Sequence, residues 1–92
     1  MKYLDWSSEK NERLKFEREI CFEDVVLAID NNQILDIIQH KNLKKYPNQK
    51  ILIVKIENYA FLVPFVEDDT KIFFKTIIPS RQATKKYIIN PK

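Results

Sequence analysis

Apolar residues recur along this chain in two rhythms, a helical one near the start and a period of two after residue 33. Phe22, Val25, Val26 and Ile29 stand at i, i+3, i+4 and i+7, the spacing of one buried helix face. Cys21 occupies the cap position, Glu23 and Asp24 suit the positive end of the helix, and Asn31-Asn32 suit its left-handed end. Upstream, Ser7 reads as the N-cap of a helix running from 8 to about 18, with Glu9 and Glu12 in its first turn. Its apolar stripe is narrow, Leu14 with Phe16, so its many charges read as a solvated face. Residues 3–6 read as a short edge strand.

Four strand-like runs follow, at 34–39, 50–57, 59–66 and 71–78, each rich in β-branched and aromatic residues. In the second, Ile51 and Ile53 belong to one face and Leu52, Val54 and Ile56 to the other. Asn58 and Asp68-Asp69 mark tight turns, and short spacers make antiparallel neighbours. Pro64 cannot donate to a ladder, which predicts a bulge or a one-sided gap in the third run. Pro79 ends the fourth run, and Ser80 caps a helix from 81 to about 89 whose Ala83 and Tyr87 face the sheet. The expected fold is α+β: two N-terminal helices, an antiparallel four-stranded meander with an extra short N-terminal strand, and a C-terminal helix.

Composition narrows this picture. The 92 residues suffice for one small domain, spanning 1–92. Glycine is absent, so turns fall to Asn, Asp and Pro, and neither a P-loop nor a dinucleotide fingerprint is present. Charges interrupt every apolar run, and the start of the chain has no signal-peptide pattern. Cys21 is the one cysteine; these features together lead us to expect a cytoplasmic protein that does not enter a membrane.

The formal net charge is +3, but its distribution is more telling. Residues 1–30 carry eight acidic and five basic side chains, whereas from Lys71 onward there is no acid and six cations, Lys71, Lys75, Arg81, Lys85, Lys86 and Lys92. A basic stretch on a rigid mount suits phosphate contacts. The 40–50 loop adds a second basic segment containing Tyr46. One His, one Cys and scattered carboxylates show no metal-ligand spacing, and no cofactor is expected.

The remaining chemistry suits RNA cleavage by the substrate's own 2′-hydroxyl, which needs a proton carrier and cations around the phosphate. Arg81 is the candidate clamp, since a guanidinium grips phosphate with two donors. Lys75, next to Phe74 on the fourth run, and His40 are candidate catalytic partners. Lys45, Tyr46, Lys50, Lys85 and Lys86 are candidate RNA contacts. A non-catalytic nucleic-acid-binding module fits the same charges, as does a structural subunit with an acidic partner.

Two motifs resemble a known family. Leu4-Asp5-Trp6-Ser7-Ser8-Glu9-Lys10-Asn11 with Ile20-Cys21-Phe22-Glu23-Asp24-Val25, and Thr76-Ile77-Ile78-Pro79-Ser80-Arg81-Gln82-Ala83-Thr84, resemble the two ends of BrnT-family toxins. The resemblance implies a RelE-like fold and a metal-independent endoribonuclease of a type II toxin-antitoxin pair. It implies as partner an antitoxin of ribbon-helix-helix type, through which the toxin meets operator DNA. Arg81 and Lys10 match family positions. Glu19 stands where the family often has glycine, Tyr87 where it has an acid, and Gln49-Lys50 where a Glu-Arg pair is expected. These departures keep open the alternative of a degenerate toxin acting as a co-repressor.

Overall fold

The computed structural model describes residues 2–39, 44–45 and 48–90. In chain order these form β1 (Tyr3–Trp6), α1 (Ser8–Arg18), α2 (Phe22–Asp30), β2 (Ile34–Gln39), β3 (Gln49–Ile56), β4 (Tyr59–Glu67), β5 (Lys71–Phe74), β6 (Ile78–Pro79) and α3 (Arg81–Thr84). A π-helical turn, Lys85–Ile89, continues α3 without a break. The fold is α+β with three helices and one mixed sheet in the order β1-β5-β4-β3-β2, with β6 also on β4.

The meander is antiparallel as expected, but β1 adds to it in parallel, Tyr3 opposite Lys71 and Trp6 opposite Phe74. The expected fourth strand is two strands, not one. Pro64 explains the break. Its carbonyl accepts from the Lys75 N–H at 2.8 Å, so this edge of Pro64 faces β5 and β6. The N–H and C=O of one residue point to the same side of a strand, so the donor Pro64 lacks is missing on that side. There β5 stops at Phe74, and pairing resumes with β6, Ile78 opposite Leu62. The gap predicted in the third run thus falls in its neighbour, and Lys75 lies outside the strand.

Alternation sorts the sheet's side chains. Leu52, Val54, Val63, Phe65 and Phe74 pack with Leu14, Phe22, Val25 and Ala28 under α1 and α2. Trp6, Phe22 and Phe74 stack there with ring centroids 5.6–6.4 Å apart. Asn11, 4 % exposed, joins the two helices: it accepts from the Phe22 N–H at 2.7 Å and donates to Glu23 at 2.9 Å. Phe16, expected in the α1 stripe, is instead 81 % exposed, because Leu14 alone faces the core from that turn. The opposite sheet face is covered by the terminal helix, where Ile53, Ala60 and Ala83 pack with Tyr87 and Ile88.

Turns without glycine place other residues in the left-handed region: Glu19 (φ 54°), Asn32 (58°), Glu57 (52°) and Asn58 (64°). Glu57-Asn58 form the two-residue connection between β3 and β4, where both positions require positive φ. Glu19 ends α1 in the left-handed conformation that glycine would favour.

Candidate nucleic-acid interface

The terminal helix is held by paired contacts to one residue of β4. The Ser80 N–H donates to the Ala60 carbonyl at 3.0 Å, and the Ala60 N–H donates to Thr84 Oγ1 at 2.9 Å. The buried Thr84 hydroxyl in turn donates a hydrogen bond to the Ser80 carbonyl at 2.8 Å. Ser80 Oγ caps the helix by accepting from the Ala83 N–H at 3.1 Å. A short basic helix is thereby fixed to a central strand by hydrogen bonds on both its sides.

Its far end is tied to the edge strand. Leu35 and Asp36 sit at a register shift in β2. Tyr87 donates its hydroxyl to Asp36 Oδ2 at 2.7 Å. That bond, with a second from the Ile37 N–H and the nearby Lys86 charge, holds the Asp36 carboxyl below the usual carboxylate range. The same bond raises the Tyr87 phenol above its ordinary value. Lys86 Nζ lies 5.2 Å from the centre of the Tyr87 ring, within reach of a cation–π contact.

Between the helix and the sheet an open groove of about 400 Å³ remains. Ile38, Ile51, Ile53 and Leu62 make an apolar floor; Ser80, Gln82, Ala83, Lys86 and Tyr87 make the wall. That volume lies within the range of small-molecule pockets. Arg81 stands between two wall residues, Ser80 and Gln82, and is exposed without lining the groove itself. Among the described residues its side chain makes no hydrogen bond or ion pair, while its carbonyl accepts from the Lys85 N–H; Lys85 is exposed too.

The sequence-derived candidates separate into groups. Arg81, Lys85 and Lys86 belong together on the terminal helix. Lys75 is exposed in the interruption between β5 and β6. Lys50 is on the other sheet face: it shares the parity of Leu52 and Val54, and its ammonium pairs with Glu67 at 3.3 Å, a carboxylate that Lys2 also holds at 2.8 Å. Lys45 is exposed in the connection between β2 and β3. His40 and Tyr46 lie outside the described residues. Among the described residues no group of three His, Cys, Asp or Glu is placed to hold a metal ion, and no helix is long and apolar enough to cross a membrane.

No family model, curated protein or solved structure is found to match this chain. Gln82, Tyr87 and Asp36 belong to the groove or its wall contacts without being singled out as site residues by any sequence motif. Tyr87 was legible as a sheet-facing residue four after Ala83. Its partner Asp36 lies 51 positions away, and no local pattern joins them.

Proposed function

We propose that this chain is a RelE-like, BrnT-type endoribonuclease toxin that cleaves RNA through the 2′-hydroxyl and is neutralised by a cognate antitoxin. One observation carries the reading: an exposed, acid-free cationic helix, with Arg81, Lys85 and Lys86, borders an open apolar groove. Cations beside a groove of this kind suit a single strand, whose phosphates meet charge while a base meets the apolar surface. The order of elements, two helices before the antiparallel meander and a basic helix after it, also supports the reading.

The reaction proposed moves one proton off the 2′-oxygen, which attacks the adjacent phosphorus. The bond from phosphorus to the 5′-oxygen breaks, and that oxygen takes a proton. Products are a 2′,3′-cyclic phosphate and a 5′-hydroxyl. Arg81 is the clamp on the phosphorane oxygens, where a guanidinium matches two of them. His40 and Lys75 are the proton carriers proposed. DNA, which lacks the attacking group, would be bound and left whole.

A second reading, a non-catalytic nucleic-acid-binding or co-repressor module, has its own observation. The carboxylate that touches the groove wall, Asp36, already accepts from Tyr87 and the Ile37 N–H, and its lowered pKa makes it a weak base. Induced expression in a bacterial host separates the two. The toxin reading expects growth arrest with loss of RNA, both relieved by Arg81→Ala. Unimpaired growth at high wild-type levels would favour the binding module.

A further inference from the structure

We infer that β2 is a self-association edge, along which two copies of this chain pair antiparallel about a two-fold axis at Ile37. This pairing stands apart from the nucleic-acid reading and holds whether or not the groove takes RNA.

The sheet order β1-β5-β4-β3-β2 puts β2 at one edge, with β3 as its one neighbour among the described residues. Long edges of this kind are commonly defended by lysine or proline. Here the strand is Ile34-Leu35-Asp36-Ile37-Ile38-Gln39, which contains neither. Ile34, Ile37 and Ile38 are 41 %, 52 % and 37 % exposed. They serve both faces of the sheet. Ile38 lines the groove under the terminal helix, while Ile34 and Ile37 line a second pocket, on the α2 side, with Ile29, Leu52 and Phe65. That pocket is lined by apolar residues alone. A strand laid along this edge would therefore meet apolar surface above and below. β2 carries apolar residues on both its own faces, so it fits the edge it presents.

Backbone and charge fix the register. The Ile37 N–H donates to Asp36 Oδ1 at 2.8 Å, on the exposed edge of the strand. The carbonyl of the same residue points the same way, so two copies can exchange both bonds at Ile37. Pairing there moves the N–H to the second copy's Ile37 carbonyl and frees Asp36 Oδ1. Asp36 then stands opposite the second copy's Ile38, which lines the same groove as Lys86. A carboxylate of each copy is thus set beside an ammonium of the other, and the axis repeats the contact. With the axis at Asp36 instead, the two carboxylates would oppose each other. A shift of one residue would turn the apolar faces against the wrong sides. The register shift between Ile34 and Asp36 keeps the ladder short, so the dimer is reversible.

The test is sedimentation equilibrium of the full chain, without nucleic acid, from about 1 μM to about 1 mM, the range of weak association. The wild type should move from the 11.1 kDa of one chain toward twice that mass. Ile37→Lys places on the strand the charge that defended edges carry, and should stay monomeric throughout. Its far-UV circular dichroism should match the wild type, because Ile37 is half exposed. A second pair of variants decides the matter even if that one fails to fold. In a Cys21→Ser background, Ile37→Cys should join two copies by a disulfide on mild oxidation. Facing residues of a hydrogen-bonded antiparallel pair lie about 5.5 Å apart, within disulfide reach. Gln39→Cys, four residues out of register with its own mate and so about 13 Å from it, should not link. A wild type that is monomeric at every concentration, a dimer that persists in Ile37→Lys, or a dimer in which Ile37→Cys fails to link overturns the inference. None of these outcomes touches the nucleic-acid reading, which the growth assay tests separately.

Discussion

At the scale of single residues, the absence of glycine shapes this chain more than any residue present. Glu57 and Glu19 take positive φ that a side chain with a β-carbon resists. The left-handed region costs such a residue about 1–2 kcal/mol, part of which glycine returns as unfolded-state entropy. Glu57→Gly or Glu19→Gly should therefore raise unfolding stability by about 0.5–1 kcal/mol each, seen as a higher denaturation midpoint at unchanged slope. A lower midpoint would show that the glutamates contribute contacts that outweigh the strain. Other residues were legible in the sequence itself. Ser7 and Ser80 accept from Lys10 and Ala83 as caps should, and Asn32 takes the left-handed position expected of it. Phe16 was misread because a periodic apolar position implies burial only where a neighbouring element covers it. Lys50 shows both sides of this. Alternation put it opposite Ile51, but its pairing with Glu67 depends on a neighbour 17 residues on.

Among the elements, strand pairing was readable between successive strands of the meander and unreadable between strands distant in sequence. The contacts of β3 with β4 follow from a two-residue turn. The parallel contact of β1 with β5 joins residues 68 apart, as Tyr3 and Lys71 are, and no local signal specifies it. The terminal helix is likewise docked by distant partners, Ala60 and Asp36. The second of these makes docking depend on pH in a defined way. Asp36 has a lowered pKa, so its contribution is present above the ordinary value of about 3.9 and is lost as pH falls through the folded value. Tyr87 has a raised pKa, so its contribution is present below about 10 and is lost as pH rises through the folded value. Thermal melts of the wild type should therefore exceed those of Tyr87→Phe across the middle range, with the gap closing at both ends. A gap that stays constant from pH 3 to pH 11 would mean that the hydrogen bond between them does not carry the difference.

For the molecule as a whole, charge and shape divide the labour. The acid-rich first third builds the α1 and α2 layer, while the acid-free end supplies the helix beside the groove. The basic character of that end was plain in the sequence. The groove was not, because its floor comes from β2, β3 and β4 and its wall from the helix. If Arg81, Lys85 and Lys86 each meet one phosphate, the logarithm of affinity for single-stranded RNA should fall against log salt with a slope of about −2. Lys85→Ala should reduce that slope by about 0.7, and an unchanged slope would remove Lys85 from the contact.

In the proposed reaction Arg81 holds a phosphate undergoing attack by its own 2′-hydroxyl. Incubating the purified protein with end-labelled RNA, and with the same strand bearing one 2′-deoxy substitution at the cut position, tests it most directly. The proposed reaction gives a 2′,3′-cyclic phosphate and a 5′-hydroxyl from the RNA, protection of the substituted position, and a rate lower by about 100- to 1,000-fold for Arg81→Ala. RNA left intact, ends of another kind, or full activity without Arg81 would contradict it.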